Sequence, residues 1–199
     1  MTTLGVLGGT FDPIHVGHLV AAVNVRHALD LDLVLLVVAN RPWQKEGTRP
    51  VTPAQDRLAV VRAAVGQVPG VEASDLEVVR SGISYTADTL AALHVAEPDA
   101  DLVLVIGADV AAKLGTWERL DEVRARCRLA VVNRPGAPPP RVPRGWRAEV
   151  VEIPALEVSS TDLRARVADG RPLDYLVPEA AVHEMRRRRL YAPERMDLP

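Results

Sequence analysis

Apolar and polar positions along the chain come in alternating blocks. Leu4 to Leu7 is a short apolar run closed by Gly8-Gly9, which reads as a buried strand ending in a tight turn. Beyond it, Val16, Leu19, Val20, Val23 and His27 recur at helical spacing, and Pro13 stands just ahead, where a helix entry tolerates proline. Leu33 to Ala39 (LVLLVVA) is almost continuous in leucine and valine and predicts a second strand, covered on both faces. Residues 40–53 are polar and proline-rich and read as a loop, after which Pro53 opens a helix to about Val65. Val71–Ser74 reads as a short strand, Tyr85–Val95 as a helix and Leu102–Ile106 as the third clear buried strand. One or two helices follow from Asp109 to about Arg126. Leu129–Val132 and Glu149–Ile153 are further strands; Ser159–Ala168 and Pro178–Arg189 are helices. Between them, Arg134 to Arg147 holds five prolines and four arginines, the composition of a surface loop.

Buried strands that alternate with helices from end to end predict an α/β fold. The expected architecture is a Rossmann-like, doubly wound parallel sheet with a small helical C-terminal part over about 159–199. The whole chain, 1–199, is expected to form one domain. No internal repeat is visible.

Composition narrows the function. The chain has 199 residues, 48% hydrophobic and 25% charged, with a net charge of −2. Those are ordinary globular values and lack the basic excess of a protein that binds bulk nucleic acid. The four arginines at 186–189 are expected to complement the dipole of a helix end and stay solvated. A single cysteine, Cys127, allows no intramolecular disulfide and no multi-cysteine metal site. It reads as inert. No run reaches the ~18 apolar residues of a membrane span, and the N-terminus lacks the basic region and cleavage site of a signal peptide. A cytoplasmic protein with no membrane and no nucleic-acid partner is the expectation. Oligomeric state is open, a homo-oligomer included.

In an open parallel sheet, ligands bind outside the carboxyl ends of the strands. The first such end reads Gly8-Gly-Thr-Phe-Asp-Pro-Ile-His-Val-Gly-His18. Gly8 and Gly9 would let backbone N–H groups approach a phosphate, and the helix N-terminus behind them adds positive potential. His15 and His18, three residues apart, share a face of its first turn. A turn for its own sake and two helix-capping histidines are the plainer reading of the same residues. A zinc site is disfavoured, for want of a third ligand at useful spacing. The segment matches neither the P-loop nor the dinucleotide GxGxxG pattern.

Ser159 and Asp162 make an S-x-x-D capping box. The same serine-rich helix start, with Arg164 close behind, also suits a phosphate. Asp109 reads as a helix N-cap, and Trp117 as a core residue, unless a ligand engages them.

The segment GGTFDPIHVGH resembles the GGTFDPxHxGH motif of bacterial nicotinate-nucleotide adenylyltransferases, members of the HxGH nucleotidyltransferase superfamily. Three more segments resemble elements of that family in the same order: Ser84-Tyr-Thr-Ala-Asp-Thr-Leu90, Ile106-Gly-Ala-Asp109 followed by Trp117, and Ser159-Ser-Thr-Asp-Leu-Arg164, where Leu163 replaces the usual isoleucine. Together the matches run from residue 4 to about 178. The resemblance implies transfer of AMP from ATP to nicotinate mononucleotide in NAD biosynthesis, giving deamido-NAD and pyrophosphate without a covalent intermediate. It implies that His18, His15 and Arg164 are catalytic. It places ATP at Gly8, Gly9, Thr10, Phe11, Gly107, Asp109, Arg134, Ser160 and Thr161. It places nicotinate mononucleotide at Asn40, Lys45, Thr86 and Trp117, and Mg2+ as arriving with ATP instead of resting in a protein cage. The loop Asn40-Arg-Pro-Trp-Gln-Lys45 departs from the family's P-H-K pattern, so Asn40, Trp43 and Lys45 read equally as solvated loop residues. Sister enzymes acting on phosphopantetheine or nicotinamide mononucleotide, and a nucleotide-binding regulator on the same fold, are the competing expectations.

Overall fold

The computed structural model describes residues 2–42, 50–133, 140–142 and 144–192. The first half runs β1 (Thr3–Gly9), α1 (Val16–Ala28), β2 (Leu33–Val38), β3 (Arg41–Pro42), α2 (Ala54–Val65), β4 (Val71–Ser74), α3 (Leu76–Arg80) and β5 (Ile83–Ser84). The second half runs α4 (Thr86–Ala96), β6 (Asp101–Gly107), α5 (Ala108–Ala111), a 3-10 turn at Leu114–Thr116, α6 (Leu120–Arg126), β7 (Arg128–Asn133), β8 (Ala148–Glu152), α7 (Ser160–Ala168) and α8 (Glu179–Arg187).

Six strands form one parallel sheet in the order β4-β2-β1-β6-β7-β8. This is the doubly wound arrangement, in which strand order reverses between β1 and β6. Alternation along the strands explains the layers. Val34, Leu36, Val38, Val103, Val105 and Ala130 face one core, closed by α1, α2, α7 and α8. Val37, Leu102, Leu104, Ile106, Leu129 and Val131 face the other, closed by α4, α5 and α6. Both faces are therefore dry, which is why the strands read as unbroken apolar runs.

The C-terminal helices belong to the first layer. Leu163 of α7 and Ala181 and Met185 of α8 are buried there. Arg188, just past α8, donates to Asp56 of α2 at 2.5 Å and to Glu184 at 2.5 Å. The 186–189 arginines are thus not uniformly solvated: Arg187 and Arg188 both pair with Glu184. Among the described residues, no helix is long and apolar enough to cross a membrane.

Three local expectations change. Gly8 and Gly9 continue β1 instead of forming a turn, in register with Val37 and Val38 of β2. On α1, Ala22 and Val25 are buried while Val23 is exposed, because the helix is apolar nearly all round and packing alone selects its inner face. Helix α3 and the two-stranded pairing of β3 with β5 are too short to give a periodic signal.

Candidate active site

The crevice forms where β1 and β6 part. They pair only from Thr3↔Asp101 to Val6↔Leu104, after which β6 stays with β7 as far as Gly107↔Val132. Leu7, Gly8 and Gly9 therefore have no partner strand on that side. Two adjoining cavities open here, sharing Leu7, Ile106, Gly107 and Val110 in their walls. One, of about 230 Å³, is lined by Gly8, Gly9, Thr10, Glu77, Ser84, Thr86, Thr89 and Trp117. The other, of about 600 Å³, is lined by His15, Gly17, His18, Asp109, Asn133 and Val158.

The two histidines lie at the entry of α1. His15 is the N-cap, in extended backbone, and His18 is the third helical residue. The His15 N–H donates to His18 Nδ1 at 3.2 Å. His18 Nδ1 is therefore an acceptor, and Nε2 is left as the donor of the neutral ring. The rings stack with centroids 3.8 Å apart, and Phe11 packs edge-on against His18 at 5.0 Å. Burial pushes His15 down to about 4, so it is neutral at pH 7. Its Nδ1 is buried without a hydrogen-bond partner among the described residues.

Glycine serves different purposes along this segment. A Cβ at Gly8 would meet open space, whereas one at Gly9 would lie 2.7 Å from the Phe11 ring. Gly9 is thus required by packing, and only Gly8 leaves its side-chain direction clear for a ligand. A Cβ at Gly17 would lie 3.0 Å from Val158 and 3.1 Å from His15 Nδ1, so Gly17 admits the His15 ring and the segment before α7.

Behind the turn, α7 is tied to the loop after β1. Arg164 Nη1 donates to the Asp12 carbonyl at 2.7 Å, and Ser160 Oγ donates to the Pro13 carbonyl at 2.8 Å. Arg164 Nη2 also reaches Thr161 Oγ1 at 3.3 Å. Ser159 caps the helix by accepting from the Asp162 N–H, but the Asp162 carboxylate turns to Arg166 and Arg171 instead of closing the capping box. Ser160 and Thr161 thus hold the loop and the arginine in place.

Asp109 is not the N-cap of α5. Gly107 is, and the Asp109 carboxylate lies where a Gly107 Cβ would be, with Oδ1 2.6 Å from that position. Thr86 opens α4, so the first N–H groups of that helix have no partner within it. Trp117 lines the smaller cavity, and its buried Nε1 has no partner among the described residues. Asn40 is engaged internally: its N–H donates to Ser84 Oγ and its Nδ2 to the Gly82 carbonyl, each at 2.9 Å. Lys45, Trp43 and Arg134 lie outside the described residues.

Sequence reasoning missed four buried polar groups around the crevice. Arg57 of α2 is 1% exposed. Its guanidinium donates to the carbonyls of Thr10, Ala39, Asn40 and Thr52, binding the loop after β1 to the one after β2. The buried Asp12 accepts from Tyr191 Oη at 2.8 Å. Burial and the Asp12 charge hold the Tyr191 phenol above its ordinary range. Glu77 of α3 is buried in the wall of the smaller cavity and accepts from Thr89 Oγ1. Desolvation holds its carboxyl above the usual range, against the lowering effect of the nearby Ser84 and Thr89 hydroxyls. Arg57 and Glu77 sit on charge-bearing helices and Tyr191 in the terminal segment, where sequence gives no reason to place them inside, while Asp12 lies in the segment between β1 and α1.

The larger cavity thus offers ring nitrogens at a helix entry, and the Arg164 guanidinium, which lines neither cavity, stands behind the loop after β1. Among the described residues no three histidine, cysteine or carboxylate side chains gather as a metal cage. That donor set suits an anion.

Comparison with known proteins agrees with this geometry. Residues 6–166 match the cytidylyltransferase-like family model. A Corynebacterium kroppenstedtii protein named "Probable nicotinate-nucleotide adenylyltransferase" is 42% identical over 193 residues, covering 96% of this chain and 91% of that protein. A Streptomyces coelicolor protein of the same name is 43% identical over 190 residues, covering 94% of this chain and 100% of its own. In fold, the chain is similar to Plasmodium falciparum nicotinic acid mononucleotide adenylyltransferase complexed with NaAD, with a TM-score of 0.77 at 15% identity, covering 96% and 98% of the two chains. The split between β1 and β6, the paired histidines at its mouth and relatives matched over nearly their whole length lead to one assignment: the chain belongs to the nicotinate-nucleotide adenylyltransferase family.

Proposed function

We propose that this protein transfers the adenylyl group of ATP to nicotinate mononucleotide. The observation that carries the reading is the pair of cavities meeting at Gly107, one walled by His15, His18 and Asp109 and the other by Thr86 and Trp117. Two adjoining cavities where two parallel strands part suit two substrates that react with each other across the shared wall.

The chemistry follows from the donors. A phosphate oxygen of the mononucleotide attacks the α-phosphorus of ATP. The bond to the bridging oxygen breaks, and its electron pair leaves on pyrophosphate. The nucleophile is already an anion, so no general base is needed, and catalysis is positioning and charge stabilisation. His18, through Nε2, and His15 hold the α and β phosphates. Arg164 meets the charge that grows on the leaving group. Gly8, Thr10 and the start of α1 line the phosphate path, with Gly9 and Phe11 shaping it. Asp109, against Gly107, accepts the ribose hydroxyls; Arg134 is assigned to the nucleotide by the sequence resemblance alone. Magnesium, where bound with ATP, would supply charge neutralisation on the phosphates, with no cage of side chains among the described residues to hold it.

In the smaller cavity, the Trp117 indole stacks on the pyridine ring. Thr86 and the start of α4 receive the nicotinate carboxylate, which favours an acid over a neutral amide. Asn40, held by Ser84 and Gly82, is assigned to the mononucleotide phosphate, and the sequence resemblance adds Lys45.

The test is pyrophosphate release from Mg-ATP with nicotinate mononucleotide, nicotinamide mononucleotide and phosphopantetheine supplied separately. Strong preference for the acid mononucleotide is expected. Preference for another acceptor overturns the ring-site reading. ATP binding without release for any acceptor makes the protein a regulator.

A further inference from the structure

Glu77 holds together three pieces of the smaller cavity. It comes from α3, yet its carboxyl accepts the Thr89 hydroxyl from α4 and shares the cavity wall with Ser84 of β5. Ser84 Oγ in turn accepts the Asn40 N–H at 2.9 Å, which continues the network to the segment after β2. The carboxyl is 7% exposed at the residue level and shares the cavity wall with Thr86 and Trp117. An acceptor engaged by the Thr89 hydroxyl gives a fixed geometry, whereas an apolar residue there would leave that hydroxyl only the Tyr85 carbonyl at 3.3 Å.

We propose that Glu77 is a positioning residue for the mononucleotide: it fixes the α4 N-terminus and the residue after β2 on either side of the ring cavity. This rests on the placement of the mononucleotide in that cavity. The ribose site at Asp109 lies across Gly107 in the other cavity, so the effect falls chiefly on the mononucleotide.

The experiment compares wild type with Glu77→Ala, Glu77→Gln and Thr89→Val. KM is measured for each substrate, with thermal unfolding as the control. Glu77→Ala is expected to raise the mononucleotide KM by about tenfold or more, the effect of losing hydrogen bonds to a carboxylate, while the ATP KM stays within about twofold. Glu77→Gln keeps one acceptor oxygen and is expected to recover part of the loss; Thr89→Val, which removes the hydroxyl at similar volume, is expected to show a smaller effect of the same kind. If the alanine variant does not fold, the other two carry the comparison. Equal shifts in both KM values, or a fall in Tm with both unchanged, would overturn the proposal and make Glu77 a buried core acid. If wild type prefers another acceptor, the placement of nicotinate fails while the same KM comparison with that acceptor still decides Glu77. If wild type shows no turnover, calorimetric affinities for the mononucleotide and ATP replace KM with the same criteria.

Discussion

Arg164 and Asp12 are 152 residues apart in the chain, yet Arg164 Nη1 donates to the Asp12 main-chain oxygen at 2.7 Å. One guanidinium thus ties the last layer of the fold to the loop that leads into the His15–His18 turn. The guanidinium carries five N–H donors, of which this bond uses one and the bond to Thr161 Oγ1 another. Arg164→Ala is expected to lower kcat by about 10²-fold or more, the usual effect of removing one preorganised charge donor. Arg164→Lys is not expected to restore it, since an ammonium cannot reproduce the fork. Steady-state pyrophosphate release checks both; a lysine variant at wild-type rate would reduce Arg164 to a point charge.

His18 offers the cleaner catalytic test. Its Nδ1 already accepts the His15 N–H, and its ring stacks on His15. His18→Ala is expected to cost at least about 10² in kcat with the fold intact. Near-normal turnover in a folded variant would remove the histidine turn from the chemistry.

His15 makes stability depend on pH. Its folded value is about 4, against 6.5 as the ordinary value, because burial disfavours the charged ring. Between those two values the unfolded chain binds a proton that the folded chain does not. Stability is therefore full above about 6.5 and falls as pH drops toward about 4, by on the order of 3 kcal/mol from this residue. Urea unfolding at pH 7.5 and pH 5 measures it, with His15→Gln expected to flatten the difference. A bound polyphosphate supplies the missing partner, so ATP should raise the His15 value; nitrogen chemical shifts of that ring report it.

Cys127 follows α6 and is 2% exposed. Its Sγ donates to the Val123 carbonyl at 3.2 Å, and burial pushes the thiol up to about 12. The thiolate is the reactive form, so the native protein should resist a thiol reagent at pH 8 and react fully only once unfolded. Fast labelling of the folded protein would contradict this burial.

Much of this protein is written locally. Leu33–Val38 and Asp101–Gly107 are strands because a sheet covered on both faces needs apolar side chains at consecutive positions, and that pattern is visible without a structure. The motif around His15 and His18 marks the first strand end because glycines and a helix entry must be close in sequence to act together. What lies between distant segments is not written this way. That Gly9 makes room for Phe11, that Asp162 turns to arginines and leaves the cap half-closed, and that Arg57 ties the loop after β1 to the one after β2 depend on which elements pack together. Glu77 and Arg57 look like solvent-facing charges on short or amphipathic helices. They are buried because the β1–β6 split and the helices across it bring carbonyls and hydroxyls to them, and only the assembled fold supplies those partners.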